Sequence, residues 1–348
     1  MIDLPSNTKI PRSKNHVAQW LFFVMLLVVA MIVLGGATRL TNSGLSITEW
    51  RPITGALPPL SHEAWLSEFE KYKQIPEFMA EHPDMDLKGF EFIYFMEWSH
   101  RQLGRFIGLA FAIPFFVFLF RKKLRGAKQW RFWAILILIG LQGAIGWWMV
   151  ASGLTNDRVD VHPVRLATHL GLAFIILAFL FWTWRDQREG WPARLSAGPM
   201  TGRTKLLAGI VFLQIISGAL VAGTHAGKTY NTWPLMDGRI FPSGYFAENP
   251  LWKNITDNIM AIQFNHRTLA YIVLAIAIWV FMSTRKSNGE VKPASEILMA
   301  LVLWQVVLGI ATLLMVAPLG MSLLHQFSSI LVFLAAIWTM RAARYSGT

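Results

Sequence analysis

The stretches EWSHR at residues 97–101 and QFNHR at residues 263–267 are two versions of one pattern, each beside a long apolar run. Each half of the chain has one further histidine in an apolar run, His169 and His325. A helical chain built twice from one unit, with two histidines in each unit, has the ligands for two six-coordinate hemes. The pattern therefore predicts a duplicated helical protein with a pair of facing histidines in each copy.

The two copies differ three residues before the first histidine, where Glu97 corresponds to Gln263. Residues three apart share one face of a helix, so the Glu97 carboxylate and the His100 imidazole are expected to project together. A carboxylate beside a heme can act as a general base or stabilise positive charge. A solvated first-turn carboxylate favoured by the helix dipole is the alternative. We predict that Glu97 is catalytic and that the first half carries out the chemistry.

Composition identifies an all-α integral membrane protein. Hydrophobic residues make up 54% of the 348 residues and charged residues 15%, which is wrong for a soluble domain of this length. A membrane-spanning helix needs about 20 apolar residues. We predict eight transmembrane helices, at about residues 17–37, 101–120, 132–150, 164–184, 206–222, 259–282, 297–316 and 321–340.

Further matches extend the repeat to all four spans of each half. Leu141-Gln142-Gly143 corresponds to Trp304-Gln305-Val306, and Gly35-Gly36-Ala37 corresponds to Ser217-Gly218-Ala219. Because each unit has an even number of spans, both copies enter the membrane from the same side. The repeat therefore predicts a parallel tandem arrangement.

The predicted architecture is two pseudo-symmetric four-helix bundles. Residues 1–190 form the N-terminal bundle, with a long external loop, and residues 191–348 form the C-terminal bundle, and each bundle has one histidine pair. The segment Arg185–Lys205 is rich in Pro, Gly and charge, which is typical of a linker.

Charge predicts the orientation. The segments 1–16, 121–131, 185–205, 283–296 and 341–348 hold 19 Lys/Arg and 5 Asp/Glu, which leaves 13 and 15 for the rest. One side thus has a net charge of +14 and the other −2. Positive loops stay in the cytoplasm, so both termini are predicted to be cytoplasmic in a bacterial inner (plasma) membrane, with the first span retained. The net charge of +12 then needs no nucleic acid as a partner, and membrane lipid is the expected surroundings.

The absence of cysteine excludes disulfides, thiolate metal sites, iron–sulfur clusters and covalent heme attachment. Any metal must bind histidine, methionine, carboxylate or backbone oxygen. The predicted metal ligands are His100, His169, His266 and His325, all expected within the first turns of their spans and near the periplasmic face. Arg101 and Arg267 directly follow the first histidine of each pair, and we expect them to bind heme propionates.

Two external segments, about 38–91 and 223–258, are long enough to have a function. The first is expected to contain an acidic helical stretch, and both are expected to cover the ends of the bundles. Among the remaining histidines, we interpret His16, His82 and His162 as solvated, and leave His62 and His225 open because their segments are expected to cover a site.

These features together resemble one family. Eight spans in two repeats, Glu-x-x-His-Arg before the second long run, His-Arg at the equivalent place, single histidines in the fourth and eighth spans, and the stretch GGATRLTNSGLS at 35–46 are similar to heme A synthase. The resemblance covers nearly the whole chain. Some bacterial members have a cysteine pair in the first external loop, so this chain resembles the cysteine-free branch shared by proteobacteria and mitochondria.

The resemblance implies an oxidoreductase that converts the C8 methyl of heme O to a formyl group by successive hydroxylations, giving heme A for terminal cytochrome oxidases. It implies that His100 and His169 bind the substrate or product heme, that His266 and His325 bind a permanent heme b, and that Glu97 is catalytic. An external electron acceptor or donor, the heme O synthase (protoheme farnesyltransferase), cytochrome oxidase assembly factors and a second copy of the chain are the further expected partners.

Two other functions use the same histidines. A diheme b-type electron-transfer protein usually stacks its hemes across the membrane, whereas these histidines are expected near one face. A heme transporter or chaperone would need the histidines but not Glu97.

Overall fold

The computed structural model describes residues 15–51, 54–124, 128–154, 158–190 and 198–345. These residues form eight helices that are long and apolar enough to cross a membrane, as predicted. The long helices are α1 (His16–Leu40), α4 (Leu87–Phe120), α5 (Trp130–Leu154), α6 (Pro163–Glu189), α7 (Pro199–Gly223), α9 (Ile259–Thr284), α10 (Val291–Leu314) and α11 (Leu319–Tyr345), and the short ones are α2 (His62–Tyr72), α3 (Pro76–Glu81) and α8 (Lys253–Thr256).

The helix α4 begins fourteen residues before the predicted second span. Asp86 caps it by accepting a hydrogen bond from the Gly89 amide at 2.8 Å. The added turns contain charged residues, so a search for bilayer-length apolar runs does not include them. They form because Phe90 and Tyr94 are buried against α2 and α3 rather than in lipid. The predicted start at residue 101 was therefore wrong.

The predicted linker Arg185–Lys205 is also mostly helical. The helix α6 continues to Glu189 and α7 begins at Pro199, which follows the N-cap Gly198. The connection is therefore confined to residues 190–198, of which 191–197 lie outside the described residues. The charges that suggested a linker belong to helix ends that pair with other helices.

The contacts between the long helices are consistent with two four-helix bundles. The helices of the first bundle, α1, α4, α5 and α6, contact one another in a closed circle that we term the first ring. The helices α7, α9, α10 and α11 form the second ring in the same way. Between the two rings, α1 and α6 pack against α7 and α11. Both described chain ends lie at one face: Asn15 donates to the Gln187 carbonyl at 2.6 Å, and Trp182 packs against Tyr345. We term this the termini face, and the opposite end, which carries α2, α3 and α8, the loop face.

A buried ion cluster joins three helices at the termini face. The fully buried carboxylate of Asp186 on α6 accepts hydrogen bonds from Arg131 Nη1 on α5 at 2.6 Å and from Arg341 Nε and Nη2 on α11 at 3.0 and 2.8 Å. Arg341 also donates to Glu189 at 2.8 Å. A buried charge is tolerated only while its counter-charges remain. Asp186 therefore holds the first ring to the second.

A second network joins the two rings at the loop face. Arg39 at the end of α1 donates to Asp160 at 2.9 Å, and His225, just after α7, contacts the same carboxylate at 2.9 Å. Burial opposes the charge on Asp160, but the hydrogen bond with His225 and the pairing with Arg39 outweigh it and lower the pKa of Asp160. His225, left open from the sequence, thus belongs to an inter-ring contact.

The helices α2 and α3 form a cap on the added turns of α4. Phe69, Tyr72 and Phe78 pack against Phe90, and the Phe69 and Phe90 ring centroids are 4.9 Å apart. The predicted acidic helical stretch corresponds to α2. In this cap the Tyr72 hydroxyl donates to Glu77 at 3.1 Å and lies 2.7 Å from His82 Nδ1.

The interpretation of three histidines as solvated holds for only one of them. His16 is exposed, but His82 is half-buried and bonded to Tyr72, and His162 is half-buried as the N-cap of α6, where its Nδ1 accepts a hydrogen bond from the Val164 amide at 3.2 Å. Sequence alone does not show these local hydrogen bonds. His62 is exposed at the start of α2.

Replacing Asp186 by Asn should destabilise the protein by about 3–5 kcal/mol, because Arg131 and Arg341 would lose their shared buried counter-charge. The measurement is thermal or denaturant unfolding in detergent. The matched control is Glu189→Gln, whose side chain is 36% exposed, and which should cost about 1 kcal/mol or less. Equal losses from the two variants would contradict the role given to Asp186.

The cap should loosen as pH rises between 4.5, the ordinary pKa of Glu77, and about 8, its raised pKa in the folded cap. Glu77 is 2% exposed, and burial raises its pKa to about 8 from an ordinary value of 4.5. The folded cap therefore binds a proton that the unfolded cap releases. The stability of the cap falls as pH rises through this window, and the equilibrium constant for opening rises by up to about tenfold per pH unit.

Amide hydrogen exchange in residues 62–82, corrected for the intrinsic rate, measures this opening. Glu77→Gln should remove the loosening with rising pH, and Glu70→Gln, at a 63% exposed side chain, should keep it. A loosening with rising pH that persists in Glu77→Gln would rule out Glu77 as its source.

Candidate functional site

The four predicted ligands lie on four different helices, two in each ring. His100 is on α4 and His169 on α6, and these helices lie diagonally across the first ring. His266 on α9 and His325 on α11 have the same relation in the second ring. The two members of each pair are close enough to interact electrostatically. The structure thus brings the predicted pairs together, each inside its own ring.

The depth of one histidine differs from the prediction. His169 and His325 are the seventh residues of α6 and α11 and His266 is the eighth of α9, whereas His100 is the fourteenth residue of α4. The early start of α4 accounts for this difference. The prediction that all four lie in the first turns was therefore wrong for His100.

Each histidine packs against a glycine on the preceding long helix. A Cβ added to Gly35, Gly146, Gly218 or Gly309 would lie 3.0, 2.9, 3.2 or 3.0 Å from the nearest ring atom of His100, His169, His266 or His325, respectively. Contacts this short are rare for real Cβ atoms, so the glycines allow the imidazoles to approach the neighbouring backbone.

The glycine contacts also correct the register of the repeat. The sequence comparison matched Gly36 with Gly218, but the residue that receives the histidine in the first half is Gly35. With this register Asn42 matches His225, and both have a positive φ, 48° and 53°. The match was displaced by one residue because two glycines are adjacent in α1.

Three glutamines that the prediction gave no site role contact the histidines. The amide Nε2 of Gln142, Gln214 and Gln305 lies 3.2, 3.2 and 3.3 Å from Nδ1 of His169, His266 and His325, respectively. Each Nε2 also donates to the backbone carbonyl of that histidine, at 3.0 to 3.1 Å. In the sequence Gln142 and Gln305 are visible only as matching positions of the repeat. Gln214 was missed, and its only signal is its position four residues before Gly218.

The same three glutamines each have one unsatisfied atom. Their Oε1 atoms are buried and accept no hydrogen bond from the described residues. A buried acceptor without a donor is costly. A histidine that binds a metal through Nε2 donates its Nδ1 hydrogen to such an acceptor. The three glutamines therefore have the chemistry to orient metal-binding imidazoles.

Glu97 is buried beneath the first loop and is fully hydrogen-bonded. Its Oε2 accepts from the Ser46 hydroxyl and the Ile47 amide, both at 2.8 Å, and its Oε1 accepts from Arg101 Nε and Nη2, at 3.0 and 2.5 Å. Its exposed fraction is 3%. The alternative of a solvated first-turn carboxylate is excluded by this burial.

Gln263 has the equivalent position in the second ring with different chemistry. Its Nε2 donates to the Ala226 carbonyl at 2.7 Å, and its Oε1 accepts from Arg267 at 2.8 Å. Arg267 also donates to the Thr232 carbonyl at 2.8 Å. In both rings, then, the arginine after the first histidine connects the long helix to the loop that covers it. Only the first ring has a carboxylate there.

A cavity of about 370 Å³ opens at the loop face beside Ile47 and Arg101, two residues that donate hydrogen bonds to Glu97. It is bounded by Arg51, Arg101 and Arg105, with Glu49 and Glu68 on its wall. The Arg101 guanidinium lies 5.6 Å from the Trp50 ring centroid. Arg51 pairs with Glu49 and Arg101 with Glu97, but Lys71 also lines the cavity, and the four cationic side chains outnumber the two carboxylates on its wall, which favours the carboxylates of a ligand.

Comparison with known proteins identifies the family of this chain. The family model of COX15-CtaA, cytochrome oxidase assembly protein, matches residues 18–337. Proteins named heme A synthase are similar over nearly the full length: the one from Maricaulis maris is 49% identical over 94% of this chain and 96% of its own length. Those from Caulobacter vibrioides and Beijerinckia indica are each 46% identical, over 94% and 97% of this chain and 96% and 95% of their own lengths. The chain therefore belongs to the COX15-CtaA family of cytochrome oxidase assembly proteins.

Proposed function

We propose that this protein is a heme A synthase, a membrane oxidoreductase that converts the C8 methyl of heme O to the formyl group of heme A. Family membership and the similarity to proteins of that name support the reaction. The observation that carries the assignment of sites is the asymmetry of the repeat. Two rings have matching histidine pairs, but only the first has a buried carboxylate, Glu97, one turn from a histidine.

In this proposal His100 and His169 bind heme O as substrate, and His266 and His325 bind a resident heme b. The buried acceptors of Gln142, Gln214 and Gln305 support metal binding by three of the four imidazoles. When bound, heme b supplies electron transfer between the substrate site and an external redox partner. Residues 1–190 and 191–348 are then the substrate and cofactor halves of the protein.

Glu97 is the proposed catalytic group of the first half. Ser46, Ile47 and Arg101 hold its carboxylate in one orientation, so it needs no reorganisation before a proton is transferred. It serves as general base or stabilises positive charge at the substituent that is oxidised. Arg101, with Arg51 and Arg105, gives the loop-face cavity a positive wall for the propionates of the substrate.

The charge distribution supports an inner-membrane location with the termini face in the cytoplasm. The four histidines then lie toward the periplasmic face, since all are nearer the loop-face ends of their helices. A heme O synthase that delivers an insoluble substrate, cytochrome oxidase assembly factors and a second copy of this chain remain proposed partners.

An electron-transfer protein is the second candidate for the same histidines. It would place its two hemes on opposite sides of the membrane, whereas these pairs lie side by side in neighbouring rings at the same end of the helices. A transporter or chaperone would not need the carboxylate of Glu97. The experiment below separates both from an enzyme.

Glu97→Gln should abolish heme A formation while both hemes remain bound. The amide keeps the shape of the carboxylate, and its Oε1 can accept from Arg101 as Gln263 Oε1 accepts from Arg267, while its Nε2 loses the hydrogen bond that Glu97 accepts from the Ile47 amide. The variant and the wild type are purified from cells that supply heme O, and the extracted hemes are identified by chromatography and mass. We expect heme A and hydroxylated heme O in the wild type, and only heme O and heme b in the variant.

The reciprocal variant Gln263→Glu is the matched control, and it should still form heme A because the first ring is unchanged. Heme A in the Glu97→Gln variant would contradict the catalytic role. Heme b alone in the wild type would favour electron transfer or transport.

Single histidine replacements should separate the two sites. His266→Ala is expected to reduce the heme b content about tenfold or more. It should leave heme O binding intact, because heme O binds in the first ring and His266 belongs to the second. His169→Ala is expected to remove heme O and leave heme b. The measurement is the content of each heme per polypeptide after purification. Loss of both hemes from either variant, with an unchanged thermal transition, would argue against independent sites.

A further inference from the structure

The glutamine that contacts each histidine is absent at one of the four equivalent places. On α5, α7 and α10 a glutamine precedes the packing glycine by four residues, so both face the same neighbouring histidine. On α1 the residue four positions before Gly35 is Met31. Its side chain is half-buried, and its methyl group would lie 3.5 Å from a Cβ on Gly104 of α4.

The His100 ring also has a different orientation. His169, His266 and His325 turn Cε1 and Nδ1 toward their glycines, with Cε1 nearest in each case. His100 instead turns Nε2 and Cδ2 toward Gly35, at 3.0 and 3.5 Å from an added Cβ. Its ring makes no hydrogen bond with the residues that the structure describes. The absence of a glutamine neighbour and of a hydrogen bond to the ring, among the residues described, therefore sets His100 apart.

We propose that the glutamines fix three imidazoles as firm ligands and that Met31 leaves His100 as the weak, exchangeable ligand of the first site. The proposal rests on the proposed function and deepens it. A substrate heme must enter and its product must leave, so at least one of its ligands has to release. A resident heme needs two ligands that do not.

The chemistry of the glutamines explains the difference. The buried Oε1 of each glutamine can accept the Nδ1 hydrogen of its histidine when the amide rotates, which exchanges the Nε2 hydrogen bond to the histidine carbonyl for one to the imidazole. Such a hydrogen bond orients the ring and makes Nε2 a stronger electron donor, and its loss typically lowers metal affinity about 10- to 100-fold. A methionine thioether offers only a weak acceptor. Gln142, Gln214 and Gln305 are thus positioning residues, and the first site has one of them while the second has two.

The test places a glutamine beside His100 in the first site and a methionine beside His266 in the second site. Met31→Gln gives His100 a glutamine, Gln214→Met removes the one beside His266, and Gln326→Met is the matched control. Gln326 directly follows His325, but its amide donates to the Ile32 carbonyl at 2.7 Å rather than to a histidine. Each protein is purified with both hemes and mixed with excess apomyoglobin. Heme transfer is followed by absorption, and the hemes left on the protein are identified by chromatography.

In the wild type we expect the heme of the first site to transfer faster than heme b. Met31→Gln should slow that transfer about 10-fold or more and leave heme b unchanged. Gln214→Met should speed the loss of heme b by a similar factor and raise its midpoint potential, since a poorer imidazole donor stabilises ferric iron less. The potential distinguishes an effect on the ligand from a general loosening of the helix. Gln326→Met should alter none of these rates.

Unchanged transfer rates in both Met31→Gln and Gln214→Met would overturn the inference. So would an equal effect of Gln326→Met, which would indicate a loss of packing instead. If the wild type bound two hemes and formed heme A in either of these cases, the proposed function would stand. If the wild type bound no heme O, the proposed function itself would fail.

Discussion

The close contact between a glycine and an imidazole is the constraint on which both sites depend. A helix pair can place a histidine ring against the neighbouring backbone only where no Cβ intervenes, and this contact occurs at His100, His169, His266 and His325 alike. The separation between neighbouring helices is thereby fixed at four equivalent points. The diagonal relation of the histidine-bearing helices then turns each pair toward the inside of its ring.

The ion clusters at the two faces keep the rings in the relation that these contacts require. Asp186 and Arg341 fix α6 to α11 at the termini face, while Arg39, Asp160 and His225 fix the ends of α1 and α7 at the loop face. The first loop adds a different kind of support. It contributes Ser46 and Ile47 to Glu97, so the segment that covers the first ring also completes its chemical group.

Much of this arrangement is predictable from sequence because it is encoded in local patterns. Apolar runs identify eight spans, and the repeated His-Arg pairs identify the ligand candidates and the unique position of Glu97. The start of α4 is not predictable in this way, since Phe90 and Tyr94 are buried by residues of α2 and α3 that lie far from them in the chain. Gln214 is hidden for a similar reason, because only the packing of α7 on α9 reveals its contact with His266. The environment of Glu97 depends on a loop about fifty residues earlier.

The adjacent glycines of α1 connect the two halves within one turn of helix. Gly35 receives His100 of the first ring, and Gly36 faces Gln326, the neighbour of His325 in the second ring. The helix α1 is therefore a common wall, and its two sides are one residue apart. After a gene duplication, most positions of the two copies are free to diverge independently. Gly35 and Gly36 are not free in this way. A side chain at position 35 would disturb His100 in the first ring, and one at position 36 would disturb Gln326 in the second ring. The first helix is thus the part of the chain whose evolution is tied to both copies at once.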